Sequence, residues 1–201
     1  MFSRQTIQNW TRRFWSVIGS VSIRTKIIGI ILGLVVLLGV GLTVFVRRSL
    51  RDAMIHELEL LAVSVSRDLA SRSTDLILVN NTYALYGLVQ ETRENYPDIR
   101  YILILNENGQ PLVHTFGGGL PGGLLEANSS TDTKSYSIFA FDSPDGRILD
   151  VAVPIFDGRA GVARVGFSET SITRTVNLVT SQLLLATLLV STIGIIITTQ
   201  G

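Results

Sequence analysis

The sequence predicts an α+β domain between two transmembrane helices, and three observations support this fold class. Two long apolar runs occupy residues 27–46 and 175–198, and neither contains a charged residue. All acidic residues of the chain lie between these two runs. In that middle region the spacing of apolar residues changes from helical to strand-like, which predicts helices followed by one sheet.

Both apolar runs are long enough to span a membrane. A helix needs about 20 mostly apolar residues to cross the hydrocarbon core. A cleaved signal peptide would have a shorter core and small residues at its cleavage site, whereas the first run ends in Arg47 and Arg48. We therefore predict an uncleaved transmembrane helix at 27–46 and a second one at 175–198.

The distribution of charge predicts how these helices are oriented. Residues 1–26 carry five basic residues and no acidic residue, and such an excess of positive charge holds a flanking segment in the cytoplasm. We therefore expect a cytoplasmic N-terminus at 1–26, an extracytoplasmic domain at 47–174, and the start of a cytoplasmic continuation at 199–201.

The basic N-terminal segment also contains Trp10, Phe14 and Trp15. Aromatic and basic side chains together are typical of a segment that lies at the membrane surface. We therefore expect membrane lipid as its partner and no nucleic acid.

The extracytoplasmic domain begins with two predicted helices. The first covers residues 49–78 and has one apolar stripe with spacings of three and four. The stripe consists of Leu50, Met54, Leu58, Leu61, Val65 and Leu69. It predicts packing on the helix's own domain, a parallel homodimer, or both. The second helix has its N-cap at Asn80 or Asn81 and ends before Pro97.

Five mostly antiparallel strands are predicted after the helices. Turn residues rich in Gly, Asn, Asp and Pro separate runs of β-branched and aromatic residues. The predicted strands are residues 100–105, 110–116, 134–142, 147–156 and 160–167. The longest connection, residues 117–133, is rich in Gly and Ser, and we interpret it as a flexible lid or a surface loop.

The composition limits the chemistry that this chain can perform. It contains no cysteine, which excludes disulfides and thiolate metal sites. No serine or carboxylate pair stands with a base in a recognisable catalytic pattern. We therefore expect no catalytic site, no metal site and no cofactor within this stretch.

Several polar residues on apolar strands are candidates for ligand contacts. His114 shares a strand face with Leu112 and Phe116 by alternation, where its imidazole either contacts a ligand or bonds to a nearby main-chain group. Arg164 lies in the middle of a strand, where it is either a contact for an anionic ligand, a solvated side chain, or the partner of Asp150 on a neighbouring strand. The predicted ligand-binding set is His114, Arg164, Tyr136, Arg100, Tyr101 and Phe116.

Four segments of the domain carry a resemblance to a known family. They are YILILNENG at 101–109, PLVHTF at 111–116, VAVPI at 151–155 and RVGFSE at 164–169. In this order, between two apolar helices, they resemble the extracytoplasmic single Cache (PAS-like) sensor domain of bacterial transmembrane sensor histidine kinases. The resemblance covers about residues 47–182 and implies a PAS-like fold with a long N-terminal helix and a five-stranded antiparallel sheet.

The same resemblance implies a function and a cellular setting. It implies the signal-sensing input module of a two-component system, with an unidentified small-molecule ligand and a signal that passes through the second transmembrane helix. It also implies a homodimer, a multi-pass protein of the bacterial inner membrane, and a histidine protein kinase as the full-length protein. The alternatives are a chemoreceptor, a cyclic-dinucleotide enzyme, or a membrane-anchored protein-binding module.

Overall fold

The chain forms four helices and five strands in the residues that this computed structural model describes, which are 23–128, 135–144 and 146–200. The helices are α1 (Ile23–Leu78), α2 (Thr82–Asn95), α3 (Leu124–Ala127) and α4 (Thr170–Gln200). The strands are β1 (Ile99–Leu105), β2 (Pro111–His114), β3 (Ser137–Ser143), β4 (Gly146–Ile155) and β5 (Gly161–Ser168). The predicted N-terminal segment before residue 23, part of the predicted loop at 129–134, Asp145 and Gly201 lie outside the described residues.

The strands form one antiparallel sheet in the order β2-β1-β5-β4-β3. The last strand of the chain, β5, therefore occupies the centre between β1 and β4. The register places Leu103 of β1 opposite both His114 of β2 and Arg164 of β5. The predicted α+β fold class is confirmed, and the five predicted strands are present with bounds that differ by up to three residues.

Helix α1 packs its apolar stripe against one face of this sheet. Leu58, Val65 and Leu69 are buried there, and Leu50 and Met54 are partly buried against the same core. The strand residues in this core include Ile102, Ile104, Val151, Val165 and Phe167. Five of the six stripe residues thus pack on their own domain, whereas Leu61 is 42% exposed, and the homodimer stays a prediction.

Helix α2 begins and ends where the sequence predicts. Asn81 is the N-cap, and its Oδ1 accepts a hydrogen bond from the amide of Ala84 at 3.1 Å. The side that faces the core carries Leu85, Leu88, Val89 and Thr92. The helix ends at Asn95, two residues before Pro97, because proline disfavours helical geometry in the residue before it.

The described residues form two compact units, one of residues 50–176 and one of residues 23–49 with 177–200. In the second unit, Gly39 lies so close to Thr187 that a Cβ at position 39 would overlap the threonine side chain. No heavy atom would meet a Cβ at Gly29 or Gly33 within 4 Å. By length and composition, both helices of this unit are apolar enough to cross a membrane.

Candidate functional site

Alternate residues of the strands point away from α1 and form a second face of the sheet, which we call the loop-side face. On β1, Ile102 and Ile104 belong to the core with α1. Tyr101, Leu103 and Leu105 therefore lie on the loop-side face. The apolar cluster there contains Tyr101, Leu103, Leu105, Leu124 and Ile148, with Phe116, Leu120 and Phe141 partly buried against it.

A buried ion pair lies on the loop-side face. The side chain of Arg164 on β5 is 1% exposed, and that of Asp150 on the adjacent strand β4 is fully buried. Arg164 Nε donates to Asp150 Oδ2 at 3.1 Å, and Arg164 Nη2 donates to the same oxygen. A buried charge without a counter-charge is strongly unfavourable, so each residue needs the other. Pairing across neighbouring strands, one of the alternatives considered for Arg164, is thereby confirmed.

Arg164 also holds the short helix α3 against the sheet. Its Nη1 donates to the carbonyl oxygen of Leu124 at 2.8 Å and to that of Leu125 at 3.2 Å. Asn128, which follows α3, donates from Nδ2 to the backbone oxygen of Asp150 at 3.3 Å. The side chain of Leu124 is buried in the apolar cluster. These hydrogen bonds and one apolar side chain thus attach α3 to the loop-side face.

Tyr101 lies beside the ion pair because Gly166 leaves room for its ring. The two residues are opposite each other in the β1–β5 register, and a Cβ at position 166 would overlap the Tyr101 ring. Burial raises the pKa of Tyr101, and the Asp150 carboxylate raises it further, although Arg164 opposes this effect. The phenol is therefore protonated at neutral pH and is a hydrogen-bond donor.

The Tyr101 hydroxyl lies close enough to Asp150 and Arg164 for both side chains to act on its pKa, but it makes no hydrogen bond of normal geometry with any described residue. A buried donor without an acceptor is unfavourable, and native proteins contain few of them. The hydroxyl is therefore a candidate for contact with an acceptor atom of a ligand.

Phe116 contacts both Tyr101 and His114. The ring centroids of Tyr101 and Phe116 are 5.3 Å apart, and those of His114 and Phe116 are 6.0 Å apart. Within the part of the chain that the structure describes, His114 Nδ1 is a second buried polar atom without a hydrogen-bond partner. The structure thus brings together four of the predicted site residues, namely Tyr101, His114, Phe116 and Arg164.

The structure does not bring the other two predicted residues, Tyr136 and Arg100, to the loop-side face. Tyr136 precedes β3, and Arg67 of α1 lies over its ring with Cζ 4.9 Å from the ring centroid. Arg100 lies at the start of β1, where the register shifts, and it lines a separate cleft. Both predictions used only the position near a strand start, which does not determine the direction of a side chain.

Sequence reasoning missed three contributors to the site, which are Leu124, Asn128 and Gly166. A glycine inside a strand often marks the close approach of another group, so Gly166 carried a usable signal. Leu124 belongs to a four-residue helix, and Asn128 follows that helix. The helix lies inside a Gly-rich connection, where the sequence shows no helical periodicity.

A buried carboxylate connects the end of β5 to α4. Glu169 stands between the two elements, and its side chain is only 6% exposed. Its Oε1 lies 3.5 Å from Nε of Arg147 on β4, and its Oε2 lies 3.8 Å from Nη2 of Arg51 on α1. Through Glu169, the end of β5 therefore contacts α1 and β4 at the point where α4 begins.

Comparisons with known proteins agree with this fold. Residues 49–180 match the family described as single Cache domain 3. A comparison with curated proteins finds no significant match. Among the residues that the structure describes, no group of three or more His, Asp or Glu side chains is arranged to hold a metal ion.

Proposed function

The chain belongs to the single Cache domain 3 family, and from this premise we propose that its loop-side face binds a small molecule. A Cache domain is a sensory input module, and such domains typically bind small-molecule ligands. The observation that carries the proposal is the buried, protonated Tyr101 hydroxyl, which lies beside Asp150 and Arg164 but makes no hydrogen bond of normal geometry with a described residue.

The chemistry of these groups favours a ligand with an oxygen acceptor, such as a carboxylate. Tyr101 supplies one donor, and Nη1 of Arg164 supplies donors that contact the carbonyl oxygens of Leu124 and Leu125. A carboxylate is a stronger acceptor for a guanidinium than a neutral carbonyl oxygen. A bound carboxylate would therefore compete with α3 for Arg164.

This competition provides a route for a signal. If the ligand takes the Nη1 donors, α3 loses two of its hydrogen bonds to the sheet, and β5 adjusts around Arg164. The movement reaches α4 through Glu169, which touches Arg51 and Arg147. The ligand shifts the domain toward one state only if it binds that state more tightly than the other.

The Cache domain and the apolar N-terminal helix indicate a membrane-associated protein. We further propose a multi-pass protein of the bacterial inner membrane, with a cytoplasmic N-terminus and residues 47–174 outside. The excess of basic residues before residue 27 supports this orientation. A homodimer that passes the signal to a histidine kinase is our preferred assembly, and a chemoreceptor or a cyclic-dinucleotide enzyme is the alternative output.

A thermal-shift screen of the full chain in neutral detergent tests the ligand site. Organic acids, amino acids, sugars and amines are added separately, because a ligand specific for the folded state raises the apparent Tm. We expect an organic acid to raise it. Tyr101→Phe should then weaken that ligand about tenfold, because it removes one hydrogen bond to a charged acceptor.

The matched control is Tyr83→Phe, since Tyr83 is 90% exposed on α2. This variant should bind the ligand as tightly as the unchanged chain. Equal affinity of the Tyr101→Phe variant and the unchanged chain would refute the assignment of the site to the loop-side face.

A further inference from the structure

One buried carboxylate lies where the two long helices of the chain join the sensor domain. The side chain of Glu169 lies 3.8 Å from Nη2 of Arg51 on α1 and 3.5 Å from Nε of Arg147 on β4. Arg51 follows the first apolar run by five residues, and Glu169 precedes the second run by six. We call these three side chains the Glu169 cluster.

The two arginines of the Glu169 cluster are attached to the carboxylate in different ways, and Arg147 is attached more firmly. The amide of Glu169 donates a hydrogen bond to the carbonyl oxygen of Arg147 at 3.0 Å, in addition to the ion pair of the side chains. The two residues continue the antiparallel register of β4 and β5, in which Ile148 is opposite Ser168. Arg147 therefore stays beside Glu169 as long as these two strands are paired.

The contact of Arg51 with Glu169 is weaker. The separation of 3.8 Å is too long for a hydrogen bond, so charge attraction alone acts between these side chains. The Arg51 side chain is 49% exposed, and water therefore solvates it when the contact is lost. Ion pairs with an exposed partner contribute little to stability, which makes this contact easy to break.

Loss of the Arg51 contact leaves Glu169 with a positive partner. A buried carboxylate without any counter-charge is strongly unfavourable. Arg147 remains beside Glu169 when Arg51 moves away, because the backbone of β4 and β5 holds it there. The Glu169 cluster can therefore open on the side of α1 without leaving a buried charge unpaired, which a single ion pair could not do.

Apolar packing around the Glu169 cluster permits a small movement of α4 relative to α1 within the sensor domain. Ile172 and Val176 of α4 are buried in the core, and Leu50 and Met54 of α1 are partly buried against the same core. Apolar packing is non-directional, whereas the attraction between charges depends on the distance between them. The Arg51–Glu169 pair therefore favours one position of the start of α4 among those that the apolar packing allows.

We propose that the Arg51–Glu169 contact is a reversible latch between α1 and the start of α4. In the closed arrangement, charge attraction holds the start of α4 close to α1. In the open arrangement, Arg147 alone neutralises Glu169, and the start of α4 moves away from α1. The use of this latch in signalling rests on the proposed function, in which the signal leaves through α4, but the latch itself needs no ligand.

Distances between two spin labels, measured by pulsed electron paramagnetic resonance on the full chain in neutral detergent, test the latch. The chain has no cysteine, so Ala53→Cys on α1 and Thr173→Cys on α4 place the labels at two exposed positions. Labelled chains are diluted with unlabelled chains, so that distances within one chain dominate. The otherwise unchanged chain should give one main distance. Arg51→Gln should add a population at a longer distance, because it removes the charge attraction.

Arg147→Gln is the matched control, since its side chain is 51% exposed and that of Arg51 is 49% exposed. It should keep the main distance, because the Arg51–Glu169 pair remains. Arg51→Lys retains the positive charge and should also keep the main distance. The proposal is overturned if Arg51→Gln gives the distances of the unchanged chain, or if Arg147→Gln or Arg51→Lys gains the longer distance as Arg51→Gln does.

Thermal melting shows whether each variant is folded before the distances are measured. Substitutions at exposed positions usually change stability little, and Arg51→Met provides a second uncharged variant that keeps the apolar stem of the side chain. It should gain the same longer distance as Arg51→Gln. The measurement uses no ligand, so a failed ligand screen would leave its result unchanged. A latch that does not open would likewise leave the assignment of the ligand site to the loop-side face untouched.

Discussion

Single residues on the loop-side face differ in what they contribute, and Arg164 contributes to both the ion pair and the attachment of α3. Arg164→Ala leaves the Asp150 carboxylate buried without its counter-charge. We therefore expect the free energy of unfolding to fall by about 3–5 kcal/mol. The variant also loses both hydrogen bonds to the carbonyl oxygens of α3. Chemical denaturation of the full chain in neutral detergent measures the loss.

Two further variants show whether the unpaired buried charge causes the loss of stability expected for Arg164→Ala. Arg159→Ala breaks an exposed pair with Asp157, whose charged atoms are 3.7 Å apart, and should cost less than about 1 kcal/mol. The double variant Arg164→Met with Asp150→Leu removes both charges and should recover most of the lost stability. If Arg164→Ala were as stable as Arg159→Ala, the ion pair would not have the structural role assigned to it.

At the scale of elements, the contact between β1 and β5 depends on a glycine at the start of β5. Gly161 has a φ of 115°, and a Cβ there would overlap the carbonyl oxygen of Leu105 on β1. Gly161→Ala should therefore lower the free energy of unfolding by more than about 2 kcal/mol, from backbone strain and overlap together. Urea denaturation monitored by circular dichroism measures this change.

Gly118→Ala is the matched control for Gly161→Ala. No heavy atom lies within 4 Å of the position of its Cβ, and the residue stands in the connection between β2 and α3. The substitution should change the stability by less than about 0.5 kcal/mol. Equal effects of the two alanines would mean that the close approach of β5 to β1 is not needed for the fold.

At the scale of the whole molecule, the exposed side of α1 is available to a second copy of the chain. Leu60 is 62% exposed and Leu61 is 42% exposed, whereas Leu69 is fully buried. The chain has no cysteine, so single cysteines can be placed without background. In intact cells, Leu60→Cys should react with a membrane-impermeant maleimide and should crosslink two copies, because this segment is proposed to lie outside in a parallel dimer.

Leu69→Cys should show neither reaction in the folded protein, because its side chain is covered by the sheet. It should become reactive after denaturation, which shows that the cysteine is present. Labelling of Leu60→Cys without a crosslink would contradict a dimer through this side of α1. Absence of labelling would contradict the proposed orientation.

The amino-acid sequence by itself determined the two long apolar helices, α2 and the five strands of this protein, but not the short helix α3. Asn81 and Pro97 mark the ends of α2, and its buried residues recur at helical spacing. The stripe on α1 likewise identifies core residues, with the exception of Leu61, which is 42% exposed. These features are local, because capping, periodicity and turn chemistry each depend on residues within a few positions of one another.

Only the tertiary structure decided which residues form the candidate site. The order β2-β1-β5-β4-β3 places Arg164 between Leu103 and Ala152, and it brings Tyr101 to the gap left by Gly166. The same packing turns Tyr136 toward Arg67 and away from the site. Pairing between strands that are distant in sequence depends on how the whole core is buried, and a strand's own residues do not specify its neighbours.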